Sequence, residues 1–185
     1  MEEVTEVLKM IDAGDTGASS RLLPLVYEQL RQLAASRMAS EPAGNTLQPT
    51  ALVHEAFLRL TDHSGGDQWN SRGHFFAAAA EAMRRILVEN ARRRKRFKRG
   101  GQMQRLDLDP DELPSTPTDD ELLALNEALS KLEIEYPDKA AIVKLRYFAG
   151  LTNEAAAQAI GVSTATAQRY WTFARTWLFG ELSRD

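Results

Sequence analysis

Basic side chains are concentrated in one stretch of this chain of 185 residues. Between Arg84 and Arg105 there are ten lysines and arginines and a single acidic residue, Glu89. Such an array can neutralise the phosphates of a nucleic acid, although a charged run can also be only a solvated face. The candidate contacts to a phosphate backbone are Arg84, Arg85, Arg92 and Arg93.

The segment just before this stretch offers groups that could hold an unpaired base. Trp69 provides an aromatic face, Asn70 an amide, and Arg72 and His74 provide hydrogen-bonding groups. Together they can stack on a base that has left the duplex and bond to its edge. The alternative is that Trp69 and Phe75 close an apolar core beneath the loop, and residue types alone do not decide between the two.

A second nucleic-acid signal lies near the C-terminus, in the stretch LTNEAAAQAIGVSTATAQRYW. Thr152 and Ser163 are helix-capping residues, and Gly161 between them suits a tight turn. This order predicts a helix-turn-helix, whose second helix can enter the major groove of DNA. An αα-hairpin that packs on another protein is the alternative. The outward residues that could read bases or hold phosphate are Thr166, Gln168, Arg169, Thr172 and Arg175.

Other kinds of chemistry find no support in the sequence. The chain has no Cys, which excludes disulfides, zinc–thiolate sites and thiol nucleophiles. The histidines, His54, His63 and His74, lack the spacing of a metal site, and there is no Gly-rich phosphate loop. We therefore expect no enzymatic activity, no metal and no cofactor.

Signals for membranes and secretion are missing as well. No run of about 18 apolar residues occurs, so no transmembrane helix is expected. The first residues, MEEVTEVLKM, do not have the layout of a signal peptide. These features predict a cytoplasmic protein without a membrane partner.

The elements that position these residues all read as helices, which predicts an all-α fold. Gly100 and Gly101 end the long basic helix, and residues 101–120 are acidic and rich in Pro. We expect two small helical domains, residues 1–100 and 121–185, joined by an acidic linker at 101–120. The expected helices cover residues 4–11, 22–38, 47–60, 75–97, 122–132, 138–148, 153–160 and 164–182.

The helix within LQPTALVHEAFLRL has one residue out of place. Its apolar stripe contains Leu52, Val53, Ala56, Phe57 and Leu60. Leu58 falls on the opposite face, beside Glu55. It is either a stray apolar residue or the centre of a docking patch.

In this order the motifs resemble those of a bacterial RNA polymerase sigma factor of the extracytoplasmic-function (ECF) type, within the sigma-70 family. The stretch LVHEAFLRL resembles the family's core-binding helix, commonly DLVQETFLRL. HFFAAAAEAMRRILVENARRRKR resembles the helix that recognises and melts the minus-ten element. The C-terminal stretch resembles the domain that binds the minus-35 element. The resemblance covers most of the chain.

The resemblance implies an alternative sigma factor with a region 2-like and a region 4-like domain. Such a factor binds core RNA polymerase and directs promoter recognition, melting and initiation. Val53, Glu55, Leu58 and Arg59 would dock on the polymerase. Trp69, Asn70, Arg72 and His74 would hold the flipped base, and Arg84, Arg85, Arg92 and Arg93 the promoter backbone. Thr166, Gln168, Arg169, Thr172 and Arg175 would bind the minus-35 element.

The start of the docking helix departs from the family pattern. Acidic residues usually precede this motif, but here the positions hold Gln48, Pro49, Thr50 and Ala51. Thr50 is therefore a candidate regulatory phosphorylation site, because a helix N-terminus tolerates a phosphate. The plainer alternative is that Thr50 only caps or packs. A Ser/Thr kinase and an anti-sigma factor are candidate partners.

Two further hypotheses follow from the sequence. Asp107–Glu121 holds seven acidic residues and no basic one, and it could fold back on Arg92–Arg99 and suppress DNA binding. The rival functions are a stand-alone helix-turn-helix transcriptional regulator, which needs no polymerase, and an adaptor that binds protein through both domains.

Overall fold

The computed structural model describes residues 49–62, 72–97 and 118–184, together with a few single positions between 6 and 31. Within the three ranges the chain is helical and contains no strand, which confirms the all-α prediction. The helices predicted upstream of Pro49 lie almost entirely outside the described residues. The helices are α1 Pro49–Asp62, α2 Arg72–Phe97, α3 Asp119–Glu135, α4 Pro137–Val143, α5 Asn153–Ile160 and α6 Thr164–Leu182, with a π-helical turn at Lys144–Phe148.

Helix α1 forms where the apolar stripe predicts it. It begins at Pro49, whose fixed φ and missing N–H suit the first turn of a helix. Leu52, Val53 and Ala56 are buried where α1 packs against α2. Leu58 lies on the opposite face and is exposed.

Helix α2 is buried over a wide arc because it has neighbours on several sides. It packs against α1, α3, α5 and the π turn. Its last turn carries Arg94, Lys95 and Arg96, which suits the negative end of the helix dipole. The buried residues are Phe75, Phe76, Ala79, Ala80, Ala82, Met83, Arg84, Ile86, Leu87, Val88, Asn90 and Ala91.

Helix α3 begins inside the predicted linker. The Thr118 hydroxyl accepts a hydrogen bond from the Glu121 N–H, and the Glu121 carboxylate accepts one from the Thr118 N–H at 2.6 Å. This reciprocal cap satisfies two backbone donors and starts the helix at Asp119, three residues before the expected helix start at residue 122. Residues 101–117 lie outside the described part of the chain.

The segment predicted as one helix at 138–148 consists of two parts. Pro137 opens α4, and from Lys144 the backbone widens into a π turn, with the Ala149 N–H bonded to the Lys144 carbonyl at 3.2 Å. Side-chain periodicity predicts helical structure here, but it does not distinguish π from α hydrogen bonding.

Helices α5 and α6 form the predicted helix-turn-helix. The Thr152 hydroxyl accepts from the Ala155 N–H at 3.2 Å, and the Ser163 hydroxyl accepts from the Thr166 N–H at 3.1 Å. Gly161 has a φ of 73°, the left-handed conformation that ends α5. The capping residues therefore act as the sequence predicts.

The two predicted domains lie in contact in this structure. Buried residues of α2 and of α3–α6 belong to one continuous apolar core. At the N-terminal end of α2, Gly73 comes so close to α5 that a Cβ on it would lie 1.9 Å from the Ala159 carbonyl oxygen. None of the described helices is both long enough and apolar enough to cross a membrane.

Candidate polymerase and nucleic-acid interfaces

The exposed face of α1 presents an apolar residue beside an ordered charge pair. Leu58 is 44 % exposed, although the other face of the helix is buried. The Arg59 guanidinium donates to Glu55 one turn earlier at 2.8 Å, and to both carboxylate oxygens of Glu89 on α2, at 3.1 and 2.6 Å. Hydrogen bonding to Arg59 lowers the pKa of the Glu89 carboxyl. The ion pairs with Glu55 and Glu89 fix the Arg59 side chain, and the pair with Glu89 joins α1 to α2.

Val53 does not belong to this exposed face. Its side chain is fully buried in the core, so in this structure it presents no surface to a partner. Val53 lies on the same stripe as Leu52 and Ala56, and the apolar periodicity assigned it there correctly. The resemblance placed Val53 in the docking patch, but in the structure Val53 lies in the core and supports α1 from inside. Thr50 is the second residue of α1, a helix with no acidic residue in its first turn.

The C-terminal half of α2 exposes a row of cations. Arg85, Arg92 and Arg93 all lie on the surface. Arg85 donates to Glu81 at 3.1 Å, and Arg93 donates to the Asn90 side-chain oxygen at 2.5 Å. The Arg85–Glu81 contact is a weak surface ion pair, so the Arg85 guanidinium can turn to a phosphate at little cost.

Arg84 has a different environment from its neighbour Arg85. It is 6 % exposed and is covered by α3. Its Nε donates to the Asn126 side-chain oxygen at 2.9 Å and its Nη2 to the Ser130 hydroxyl at 2.7 Å. In this arrangement Arg84 is withheld from DNA, which corrects its placement on an open surface.

The predicted base-capture loop is only partly within the described ranges. Trp69 and Asn70 lie outside them, as does the side chain of Arg72, the first residue of α2. His74 is exposed on the first turn of α2, and Phe75 is buried in the core. Phe75 therefore packs in the apolar core, which was the alternative to base capture for this residue.

The second helix of the helix-turn-helix exposes most of its predicted reading face. Gln168, Arg169 and Thr172 point to solvent. Thr166 is half-buried near the cap, where its hydroxyl lies 2.9 Å from that of Ser163 and accepts from Arg169 at 3.3 Å. A side chain that reads a base must break local hydrogen bonds of this kind, and the bonds among Ser163, Thr166 and Arg169 lie at the surface.

Arg175 lies half-buried beside a second arginine that sequence reasoning missed. The Arg146 guanidinium stacks on the Trp171 ring, 4.1 Å from its centroid. Burial, followed by the nearby positive charge of Arg175, lowers the pKa of Arg146. Arg146 belongs to the π turn, and no local pattern shows that it would meet α6.

Two ion pairs join the described end of the acidic segment to the basic helix. Arg94 Nη2 lies 2.6 Å from an Asp119 oxygen, and Lys95 Nζ lies 2.6 Å from an Asp120 oxygen. Contacts of this kind are what the charge-block hypothesis predicts. Its remaining acidic residues lie outside the described part of the chain, and the effect on DNA binding stays a prediction.

Comparison with known proteins identifies the family to which the chain belongs. A family model described as ECF sigma factor matches residues 1–184, nearly the whole chain. The chain belongs to the ECF sigma factor family. Comparisons with curated proteins and with solved structures each gave no match.

Membership of the ECF sigma factor family assigns this chain a role in transcription initiation and its regulation, with DNA binding. Core RNA polymerase and promoter DNA are the partners that the family implies, and sigma factors are not an enzyme family. The match includes α1, α2 and the helix-turn-helix.

Proposed function

We propose that this sigma factor docks on core RNA polymerase through α1 and holds promoter DNA through α2 and α6. The proposal is supported by the family match over residues 1–184 and by the exposed side chains that these three helices present. On α1 a large apolar residue, Leu58, is exposed and is flanked by Glu55 and Arg59. An exposed apolar residue in a frame of fixed charges is a suitable centre for a protein interface.

In this proposal α2 captures the minus-ten element. The cations Arg85, Arg92 and Arg93 hold the backbone of the non-template strand, and the preceding loop holds one flipped base. The exposed face of α6 reads the minus-35 element through Gln168 and Arg169, whose side chains can each make two hydrogen bonds to a base edge. Melting follows because the captured base can no longer pair.

Co-purification with core RNA polymerase, followed by run-off transcription from a promoter library, tests the proposal. Leu58→Asp should weaken polymerase binding by about tenfold or more, because it places a charge at the centre of an apolar contact. Ile134→Asp is the matched control, since Ile134 is also apolar and is 85 % exposed on α3. Equal binding by both variants would remove Leu58 from the interface.

The same experiment separates the rival functions. A stand-alone regulator would bind duplex DNA tightly without polymerase, and its activity would not depend on Leu58. An adaptor would bind protein with no dependence on DNA. The first result would contradict the proposed docking role of α1, and the second would contradict the proposed DNA-binding roles of α2 and α6.

We further propose that Thr50 regulates docking when a Ser/Thr kinase phosphorylates it. The first turn of α1 lacks the acidic residues usual in the family, and a phosphate there would supply negative charge at a helix N-terminus. Polymerase binding should then be stronger for Thr50→Glu than for Thr50→Ala. Equal binding by the wild type and both variants would exclude the switch. The resemblance to ECF sigma factors also makes an anti-sigma factor a candidate regulator.

A further inference from the structure

The face of α2 that bears Arg84 is covered by the C-terminal helices. Besides its bonds to the Asn126 and Ser130 side chains, Arg84 donates to the Asn126 backbone carbonyl at 3.3 Å. All these acceptors lie on α3, more than 40 positions away along the chain. These bonds use the Nε donor and both Nη2 donors, and Nη1 donates to Glu81 and Glu133 at 3.4 Å. All five N–H groups of the guanidinium are therefore engaged and are not available to a phosphate at the same time.

A cluster of four charges surrounds this contact. Arg84 lies 3.4 Å from Glu81 on its own helix and 3.4 Å from Glu133 on α3. Lys144 of the π turn lies 3.0 Å from Glu81 and also pairs with Glu133. Burial alone would raise the pKa of the Glu81 carboxyl, but Lys144 and Arg84 outweigh it and lower that pKa. The cluster joins α2 to two different C-terminal elements.

The two ends of α2 are held as well. At the C-terminal end, Arg94 and Lys95 are paired with Asp119 and Asp120, the first residues of α3. At the N-terminal end, Gly73 lies against the Ala159 carbonyl, an approach that no residue with a Cβ could make without backbone movement. The helix is therefore held along its whole length.

We propose that this arrangement is a closed, self-inhibited state of the sigma factor. In it, α3 buries Arg84 away from DNA and pairs Arg94 and Lys95 with its first two residues, and separation of the C-terminal unit releases these cations. The inference rests on the proposed role of α2 in DNA binding. It adds that α3, in the same chain, competes with DNA for that helix.

The charged part of the contact explains how it can compete with DNA. Carboxylates and neutral oxygens of the C-terminal unit occupy the cations that phosphates would otherwise take. Buried apolar residues of α2 and of α3–α6 also meet here, so opening exposes apolar surface as well as releasing the cations. Residues 98–117 join the two units, and twenty residues can extend to roughly 66 Å. The connection therefore permits wide separation once the contact is broken.

Gly73 provides a direct test of the closed state. In Gly73→Ala the new Cβ would overlap the Ala159 carbonyl, which opens the contact, while Ala favours helix α2 itself. Gly180→Ala is the matched control, because Gly180 lies in α6 with nothing within 4 Å of a Cβ. The chain has no Cys, so Ala77→Cys and Thr176→Cys, both at exposed positions, allow specific spin labelling of the two units.

Two measurements on the full chain report opening and its consequence. Pulsed electron paramagnetic resonance should give a longer and broader distance between the labels in Gly73→Ala than in Gly180→Ala. Fluorescence anisotropy with a labelled single-stranded DNA of mixed sequence should show about tenfold tighter binding at low salt, because the competent fraction rises. Three released cations at roughly 0.7 each should steepen the salt dependence, log K against log salt, by about 2.

A second variant leaves α2 itself unchanged, because Gly73 lies next to the proposed base-capture residues. Asn126→Ala combined with Ser130→Ala removes the two shortest hydrogen bonds of Arg84 to α3 and should give the same two changes. The proposal is overturned if neither variant lengthens the label distance. It is also overturned if the distance lengthens while DNA affinity and salt dependence match the Gly180→Ala control.

Failure of the proposed function would look different from failure of this inference. If no variant binds core polymerase, yet opening still strengthens DNA binding, the docking proposal fails and self-inhibition stands. If the wild type directs promoter-specific transcription and opening changes nothing, the function stands and the inference fails.

Discussion

Replacing Arg84 by Ala should destabilise the protein far more than replacing its neighbour Arg85. Arg84 is 6 % exposed and donates to Asn126 and Ser130, whereas the Arg85 side chain is 66 % exposed and has one surface ion pair. Hydrogen bonds from a charged group contribute about 1.5–3 kcal/mol each, and truncation leaves buried acceptors without a donor. A surface ion pair contributes about 0.5 kcal/mol.

The difference between the two variants can be stated as a free energy. Lys144 remains beside Glu81 and Glu133 after truncation, so part of the charge cluster survives. We therefore expect Arg84→Ala to lower the free energy of unfolding by about 3 kcal/mol, and Arg85→Ala by about 0.5 kcal/mol. The gap of about 2.5 kcal/mol corresponds to roughly a 70-fold change in the folding equilibrium.

Urea denaturation followed by far-ultraviolet circular dichroism measures this difference as a shift in midpoint at constant slope. A double-mutant cycle with Asn126→Ala should give a coupling of about 1 kcal/mol or more, because the two side chains share a hydrogen bond. If Arg84→Ala is no more destabilising than Arg85→Ala, or if the coupling is zero, the buried contact between α2 and α3 does not contribute as described.

Two other predictions concern a turn and a titrating group. Gly161→Ala should lower the free energy of unfolding by about 1 kcal/mol, because the φ of Gly161 is 73° and nothing else obstructs a Cβ there. Gly180→Ala should raise the free energy of unfolding by about 0.5 kcal/mol, because Gly180 lies in a helix. Thermal melting of both variants shows whether the two changes have opposite signs. The pKa of Glu81 is lower in the folded state, so its stabilising charge is complete above the ordinary glutamate pKa and is lost as pH falls through the folded value. The difference in unfolding free energy between the wild type and Glu81→Gln should therefore stay constant from pH 7 to about pH 5 and shrink below about pH 4. A difference that does not change with pH would show that Lys144 and Arg84 do not act on the Glu81 charge.

Features that depend on near neighbours were predictable from the sequence. Thr152, Gly161 and Ser163 act on their own backbone or that of residues a few positions away, and α5 and α6 have the predicted bounds. The apolar stripes of α1 and α2 were predictable for the same reason, because helical periodicity shows directly which face is buried.

Features that depend on distant residues were not predictable in this way. Arg84 and Arg85 have the same local setting, and only the position of α3 makes one buried and the other exposed. The stacking of Arg146 on Trp171 likewise joins two elements whose arrangement no local pattern encodes. Charge segregation suggested that the acidic segment could fold back on the basic one, and Asp119 and Asp120 do pair with Arg94 and Lys95. It did not show which residues would pair.

The bond between Arg59 and Glu89 links α1, the proposed docking helix, to α2, the proposed DNA-binding helix, through one carboxylate. Glu89 lies on α2 between Arg85 and Arg92, and the charges of both arginines also act on it. A polymerase carboxylate that drew Arg59 away would leave Glu89 to turn towards those two arginines and reduce their positive field. Occupancy of the α1 surface would thus adjust the attraction of α2 for phosphate, without any movement of the backbone.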